Sequence, residues 1–509
     1  MILAVFTSCD DYLDINTNEN KPTTIKPELV LPQALAATAL VLNLYNTYGM
    51  QIGGYSANAG GYGGFNETVS YAYTPNNYNN LWPASYDNLE DYQYIIDKTA
   101  GDQPNIYFNA VAKIMKVYNF QLLVDAYNNV PYSKALKGDD ELTPTYDDAA
   151  TIYASLATEL DEAIAGINTG NGLTLKNDIS NYDIVFGGDM DAWLKLANTI
   201  KLRLMIRGNG KVNFSNVSFD AAGFLTEDAL INPGYARDNN RQNPKWNTWG
   251  FLYTGSAGNK AWIPTTYIMT FYNGTKLIDQ DRGAATYFEF PATGTNQLGF
   301  ESTGIPKSPD GGFWYPSTNR TGTAAGNATG VLKGPDAGFP LFIAAESYFL
   351  QAEAAVVGIS TPVAGSAKDF FENGIAASFK YIYQLPDNTY KAGHAADAAA
   401  YIVDNSASRL VNFDLAISQA QKIEAIITQK YIALNMVNSQ EGWNEYRRTG
   451  YPTVNGTSPT QTFASSASQS SRPDKLPSRI LYPSTEIQYN AANVPGDVNP
   501  FTSLIFWAK

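Results

Sequence analysis

Cys9 is the single cysteine among 509 residues, and its neighbours mark it as a candidate for covalent lipid attachment. A short apolar run at residues 2–6 precedes it, and the small residues Thr7 and Ser8 lie directly before it. That order resembles a bacterial lipobox, in which the signal is cleaved before the cysteine and a lipid is joined to its thiol. The alternative is a buried thiol, which the polar segment that follows disfavours. We therefore expect Cys9 to be a lipid anchor.

A second kind of chemistry belongs to aromatic side chains in segments rich in glycine and asparagine. The chain has 34 Tyr, 24 Phe and 8 Trp, and most aromatic residues serve a protein core. An accessible ring can instead stack on the C–H face of a pyranose, while amide, carboxylate and arginine groups bond to its hydroxyls. The candidates in these segments, with their polar neighbours, are Tyr62, Tyr73, Trp246, Trp249, Trp314, Tyr315, Asn319 and Arg320.

The residue types that catalysis requires are sparse or lack a pattern. His394 is the only histidine, so a zinc site with two or more histidines or cysteines is out of reach. The sequence has no G-x-S-x-G nucleophile elbow and no G-x-x-x-x-G-K-[ST] phosphate loop. A glycosidase needs only two well-placed carboxylates, and 48 acidic residues leave that alternative open. The pattern favours a non-catalytic protein without a cofactor or a metal.

The net charge of −14 excludes one class of partner. Binding of nucleic acid depends on a basic surface that displaces counterions from the phosphates, so we expect no nucleic acid partner. Apolar residues make up 44% of the sequence and charged residues 16%. Those fractions are typical of a folded globular protein.

Apolar residues recur every three or four positions over much of the chain, which predicts helices. These helices would form the scaffold that positions the candidate side chains. Val111, Met115, Tyr118 and Leu122 form one such stripe. The stripes and their flanking residues predict helices at about 29–48, 85–127, 147–166, 189–207, 341–357, 366–383 and 414–438, with a short helix near 264–275.

Between these helices, Gly, Asn, Pro and Thr dominate, and such compositions indicate loops. Residues 49–84 and 208–338 are predicted to be irregular, and the tail after Gly442 is again rich in Pro and Ser. The predicted fold is mainly α, with helix pairs stacked into a superhelix and a large loop-rich insertion over one face. A clean period of about 34 residues is missing, so pattern alone does not establish tetratricopeptide repeats.

Six segments resemble segments of a known family and follow one another in the order that the family has. They are the start Cys9-Asp-Asp-Tyr-Leu-Asp, LVDAYNNVPYSKAL at 123–136, WLKLANTIKLRLMIR at 193–207, ESYFLQAEAAVVG at 346–358, EGWNEYRRTGYP at 441–452 and LPSRILYPSTEIQYN at 476–490. Each segment alone is weakly informative, but together they resemble the SusD/RagB family of Bacteroidetes outer-membrane nutrient-binding lipoproteins.

The resemblance implies a SusD-like fold of tetratricopeptide-like helix pairs and a lipid-anchored position on the exterior face of the outer membrane. It also implies a SusC-like TonB-dependent transporter as the partner that receives the ligand. Many family members bind glycans and some bind peptides, so we expect an oligosaccharide ligand. The alternatives are a peptide-binding RagB-like uptake lipoprotein, a surface glycoside hydrolase, and a scaffold that only binds other proteins.

The same resemblance sets the expected domain organisation. Residues 1–8 are expected to be part of a lipoprotein signal peptide whose true start lies upstream, because no Lys or Arg precedes Cys9. Residues 9–28 are the expected lipid-anchored tether, and residues 29–509 are expected to form one SusD-like domain. Within it, the helical scaffold covers about 29–48, 85–207 and 341–445, the ligand-side regions about 49–84 and 208–338, and the signature tail 441–509.

The residues of the signature segments are expected to be structural. Trp443, Arg447 and Arg448 are predicted to follow a helix, where arginine can bind the last helical carbonyls and nearby carboxylates. Arg479 is predicted to hold the tail onto the helices in the same way. We expect structural roles also for Trp193, in its helical stripe, and for the Asp281–Arg282 pair.

The aromatic candidates generate one test. Replacing Trp314 with alanine is expected to weaken oligosaccharide binding, because a loop tryptophan supplies stacking area, and to leave the thermal unfolding midpoint nearly unchanged. Titration calorimetry measures the binding and circular dichroism measures the midpoint. A large fall in the midpoint would instead identify Trp314 as a core anchor.

Overall fold

The computed structural model describes residues 25–63, 65–288, 290–291, 294–299 and 329–509. Helices dominate this part of the chain. In chain order they are α1 (Pro27–Ile52), α2 (Asn66–Ser70), α3 (Leu81–Lys98), α4 (Ile106–Tyr127), α5 (Ala149–Asn171), α6 (Met190–Arg207), α7 (Pro244–Trp249), α8 (Thr266–Met269), α9 (Gln280–Thr286), α10 (Ala344–Val357), α11 (Ala367–Tyr383), α12 (His394–Asp404), α13 (Gln419–Ala433), α14 (Ser439–Thr449) and α15 (Ser484–Tyr489).

Four short strands lie within or beside the segments predicted to be irregular. They are β1 (Ser56–Asn58), β2 (Ala229–Ile231), β3 (Trp262–Pro264) and β4 (Phe339–Phe342). β1 pairs antiparallel with β3, and β2 pairs antiparallel with β4. Strands of three or four residues are too short for the alternation of apolar and polar residues that identifies a strand in sequence.

The long helices form where the apolar stripes are. The predicted stripe of α4 is fully buried, and so are Ile152 and Leu156 of α5 and Ile200 and Leu204 of α6. α3 packs on α4, α4 on α5, α5 on α6, and α10 on α11. The predicted mainly α fold of tetratricopeptide-like helix pairs is confirmed.

Side-chain caps fix where several helices begin. Ser366 and Asp369 form a reciprocal capping box at the start of α11, and Ser418 and Gln421 form one at the start of α13. Asp189 accepts hydrogen bonds from two backbone amides at the start of α6. Each cap satisfies amide groups that have no partner within the helix.

α1 connects the beginning of the described chain to its end. It packs against α3, α4 and α14. By length and composition it could cross a membrane, but half of its most apolar stretch is buried within the protein, as in a core helix. α14 comes so close that a Cβ at Gly49 of α1 would overlap the backbone of Gln440. Only glycine allows this approach.

The structure corrects the prediction for the signature segment. Trp443, Arg447 and Arg448 do not follow a helix, because they lie inside α14. α14 was not predicted, because almost all of its residues are polar and it therefore has no apolar stripe. Ten of its eleven residues are nevertheless buried. α12 was also missed, since only Ala398 and Tyr401 of its residues are buried and they make no extended stripe.

Buried ion pairs make the burial of α14 possible. Arg207 of α6 binds Glu441 of α14 and lies 3.3 Å from Oε1 of Glu445. Lys430 of α13 lies 2.9 Å from that same oxygen and 3.4 Å from Oε1 of Glu346 in α10. These side chains are at most 2% exposed. Buried charges are tolerated only when paired in this way.

The ion-pair cluster continues towards both ends of α14. Arg448 forms a two-pronged bond with Glu353 of α10, with N–O distances of 2.7 and 2.8 Å. Arg203 of α6 lies 3.4 Å from Glu346 and donates to Gln121 of α4 at 2.7 and 3.0 Å. The cluster therefore joins α4, α6, α10, α13 and α14.

Asp125 of α4 extends this cluster to the C-terminal tail. It accepts hydrogen bonds from Arg207 and Tyr153, and from Nε1 of Trp507 at 2.9 Å. Burial raises the pKa of Asp125, and Arg207 opposes that effect by favouring the ionised carboxylate. The tail is thereby fixed to the centre of the helical scaffold.

The predicted roles of the other signature arginines are confirmed. Arg447 donates to the carbonyl of Asp125 at 2.7 Å, and Arg479 donates to the carbonyl of Tyr127, the last residue of α4. Trp193 and Arg282 are also structural, since both are buried and bond to Asp183 and Asp279 at 2.8 and 2.7 Å. The structural role expected for Asp281 is not seen, because Arg282 pairs with Asp279 and Asp281 is exposed.

The buried cluster predicts a pH-dependent loss of stability. Burial opposes ionisation of Glu441, but Arg203 and Arg207 outweigh it and lower the pKa of this carboxyl to about 2. Because the folded pKa lies below the unfolded value of about 4.3, the ionised group stabilises the fold above that value. This contribution is lost as the pH falls towards 2. Glu441→Gln should lower the free energy of unfolding at pH ~7 by about 3–5 kcal/mol.

Urea unfolding followed by circular dichroism at pH ~7 and pH ~3 measures both effects. We expect the difference between wild type and Glu441→Gln to shrink at the lower pH. Glu162→Gln is the matched control, because Glu162 is 57% exposed in its pair with Lys113 and should change stability by less than about 1 kcal/mol. Equal stability of Glu441→Gln and wild type at pH ~7 would contradict the assignment.

Candidate functional site

Three of the predicted aromatic residues are buried. Trp246 and Trp249 lie on α7 and are 1% and 2% exposed, and Tyr73 is 4% exposed. The side chain of Asn243 caps α7 by accepting from two backbone amides, at 2.9 and 3.1 Å. Burial raises the pKa of Tyr73 well above its ordinary value. In the described structure these rings anchor their loops to the core and turn no open face to solvent.

The remaining predictions divide between the described residues and the rest. Trp314, Tyr315, Asn319, Arg320 and the lipidation candidate Cys9 lie outside the described residues. Tyr62 is described and half-buried, and it packs against the core.

Asn58 at the end of β1 holds the loop that carries Tyr62. Its amide nitrogen donates to the carbonyl of Tyr62 at 3.1 Å, and its amide oxygen accepts from the backbone amide of Gly60 at 2.6 Å. Gly60 and Gly61 have positive φ angles of 86° and 74°, a backbone conformation that suits glycine. The local sequence thus fixes the position of Tyr62 relative to β1.

Trp262 differs from the other tryptophans of the described residues because it is half-buried and they are buried. It begins β3, directly opposite Asn58 of β1. The next residue, Ile263, is fully buried. Pro264 and the paired Asn58 lie on the same face as Trp262 and are buried, so part of the Trp262 ring is covered and part remains accessible.

Asn259 and Phe65 complete the surroundings of Trp262. The amide group of Asn259 bonds to both the carbonyl and the amide of Trp262, at 2.8 and 3.1 Å. The ring of Phe65, which is also half-buried, lies 4.6 Å from the Trp262 ring at an interplanar angle of 50°. We refer to Tyr62, Phe65 and Trp262 as the aromatic platform.

Polar groups surround the aromatic platform. Asn66 follows Phe65 directly and Lys260 lies two residues before Trp262, and both are exposed. On another side, Nδ2 of Asn296 donates to the carbonyl of Asn58 at 2.9 Å. Rings beside hydrogen-bonding side chains are the combination that a sugar needs.

Trp262 lies in the segment 208–338 that was predicted to be on the ligand side, but sequence reasoning did not select it. Its neighbourhood has the same composition as those of Trp246 and Trp249, and only tertiary contacts bury those two. The one local signal is the Trp-Ile-Pro order of β3, in which an apolar residue that faces the core follows the tryptophan. Phe65 carries no such signal.

The described residues show little that is suited to catalysis. Among them, no group of three or more His, Cys, Asp or Glu is placed to hold a metal ion. His394 is the first residue of α12, with the rings of Tyr383 and Tyr390 at centroid distances of 6.4 and 6.0 Å.

Comparisons with known proteins agree on one family. A family model for SusD-like proteins, described as starch-binding and associating with the outer membrane, matches residues 19–483. A search of curated proteins finds no match.

Solved structures share the fold over almost the whole chain. A SusD homologue from Bacteroides uniformis has a TM-score of 0.67 and 23% identity and covers 94% of this chain and 99% of that chain. A chitin-binding protein has a TM-score of 0.67 and 24% identity, with coverages of 95% and 100%. A chitin-binding SusD homologue from Flavobacterium johnsoniae has a TM-score of 0.64 and 21% identity, with coverages of 94% and 99%.

Proposed function

This chain belongs to the SusD/RagB family, and we propose that it is a non-catalytic cell-surface lipoprotein that captures oligosaccharide. In this proposal it delivers the ligand to a SusC-type TonB-dependent transporter of the outer membrane. The observation that carries the proposal is the aromatic platform, in which the half-buried ring of Trp262 contacts the half-buried ring of Phe65, and Asn58, opposite Trp262, holds the loop of Tyr62. Aromatic rings bind the C–H face of a sugar without a charged partner, which suits capture and release.

The chemistry of the family favours a glycan as the ligand. The family description is starch-binding, and two of the similar structures are chitin-binding proteins. Both polymers consist of pyranose units, which present the C–H faces that an aromatic platform contacts. A peptide ligand remains the alternative, because rings and amides also bind extended peptides.

The lipid anchor and the transporter follow from the sequence and the family. Cys9 would carry the lipid, residues 9–28 would act as a tether, and residues 29–509 would form the single ligand-capturing domain. A net charge of −14 disfavours docking of the domain itself onto anionic lipid. A covalent lipid at the end of a polar tether would hold the domain at the membrane without a basic protein surface.

Trp262→Ala tests the proposed ligand contact. We expect the variant to bind maltoheptaose or chitohexaose at least about tenfold more weakly than wild type, a loss of about 1.4 kcal/mol, because the largest ring of the platform is removed. Isothermal titration calorimetry measures the affinity. The thermal unfolding midpoint should change little, since Trp262 is only half-buried.

Tyr489→Ala is the matched control for this experiment. Tyr489 is an aromatic residue that is 71% exposed and lies on α15. Its replacement should leave the affinity unchanged. Wild-type affinity in Trp262→Ala, with normal folding, would show that the platform is not the binding site.

The absence of catalysis is a separate prediction. Wild-type protein incubated with the oligosaccharide that it binds should release no shorter product, as judged by chromatography. Release of product that a single carboxylate substitution abolishes would identify the protein as a glycoside hydrolase instead.

A further inference from the structure

A second surface of suitable chemistry lies in the loop that follows α14. A cleft of about 350 Å³ opens between residues 454–475 and Gln297. Among the residues that line it, those with amide or hydroxyl side chains include Gln297, Asn455, Thr457, Thr462, Ser465 and Ser466. We refer to this surface as the hydroxyl cleft.

The hydroxyl cleft and the aromatic platform lie on two sides of the same short segment. On the platform side, Asn296 bonds to Asn58, and its carbonyl accepts from the amide of Thr266 at 2.9 Å. On the cleft side, Gln297 donates to the carbonyl of Ala464, and the carbonyl of Leu298 accepts from a backbone amide of the cleft at 2.8 Å. Residues 296–298 therefore join the two surfaces.

Backbone contacts place the two surfaces next to each other. Asn296 forms a parallel bridge with Thr265 next to β3, and Leu298 bonds to Ser466 beyond it. Both links are direct backbone contacts, so the cleft lies next to the segment that borders β3. This adjacency is the geometric basis for a ligand that contacts both surfaces.

The lining of the cleft consists mostly of neutral polar side chains, and its charged residues are Asp474 and Lys475. Thr462 and Ser465 are each 5% exposed, and their hydroxyl oxygens accept from backbone amides at 3.0 and 3.2 Å. Within the described part of the chain, neither hydroxyl proton has an acceptor, so both can donate to a ligand. Asp474 at one end is already paired with Arg472 at 3.2 Å and accepts from Tyr446 at 3.3 Å.

The rim of the cleft is fixed before any ligand arrives. Gly456 has a φ of 69°, and a Cβ there would overlap the side chain of Gln461. Gln461 in turn accepts from the hydroxyl of Ser458 at 2.9 Å, and its carbonyl accepts from the amide of Asn455 at 3.1 Å. A rim held in this way loses little conformational freedom on binding.

We propose that the hydroxyl cleft is a second carbohydrate subsite, which holds a distal unit of the oligosaccharide stacked on the aromatic platform. The inference rests on the proposed function and adds to it a second point of contact with the same oligosaccharide. The platform supplies stacking, and the cleft supplies hydrogen bonds to one end of the chain.

Affinity as a function of ligand length tests the subsite. Wild type should bind maltoheptaose at least about tenfold more tightly than maltotriose, or chitohexaose more tightly than chitotriose. Ser466→Phe, which fills the cleft from an exposed position, and Asn455→Ala, which removes an exposed amide, should lose most of this gain and bind the short ligands as wild type does. Ser471→Phe, exposed and outside the lining, is the matched control and should retain the gain.

The outcomes separate this inference from the proposed function. If Trp262→Ala weakens all ligands but the cleft variants keep the length-dependent gain, the subsite is wrong and the platform stands. If wild type binds none of these oligosaccharides, both are overturned. Thermal unfolding of each variant shows that a loss of affinity does not come from a loss of fold.

Discussion

The structure depends on the neutralisation of charge inside the helical scaffold. Each buried ion costs several kcal/mol of lost hydration, so the carboxylates of α14 can be buried only where Arg203, Arg207, Lys430 and Arg448 meet them. The five helices that the whole ion-pair cluster joins, α4, α6, α10, α13 and α14, must therefore pack together. Contacts of α13 connect this centre to the surface. Tyr431 of α13 donates to the carbonyl of Gly53 at 2.7 Å and stacks on Tyr55 at 4.3 Å. The next residues along the chain form β1, which is followed by Tyr62 and Phe65 of the aromatic platform.

This arrangement separates the helical scaffold from the loops that we propose to bind the ligand. The helices are joined by ion pairs and close packing, as at Gly49, and the loops carry the rings and hydroxyls. Loops on a rigid scaffold are where binding residues usually lie. The two surfaces beside residues 296–298 offer different chemistry, because stacking is tolerant of the identity of a sugar and hydrogen bonds are more selective.

The sequence predicts the helices that are buried through apolar side chains. α4, α5 and α6 carry stripes of the helical period, and these stripes form the core. α14 could not be found in this way, because its buried residues are polar and their partners, such as Arg207 and Lys430, come from distant helices. The candidate site shows the same limit: Trp246 and Trp262 occupy similar sequence surroundings, and only the tertiary fold buries the first and exposes part of the second. The family resemblance, carried by several segments, was more informative than any single motif.

The bond between Trp507 and Asp125 links residues that are 382 positions apart. Synthesis runs from the first residue to the last, so Arg207 and Tyr153 are available to Asp125 early, and Trp507 becomes available only when almost the whole chain exists. Until then, α4 lacks a hydrogen bond that helps to offset the burial of its carboxylate. The last of the three side-chain hydrogen bonds to this buried carboxylate therefore depends on the C-terminal end of the chain.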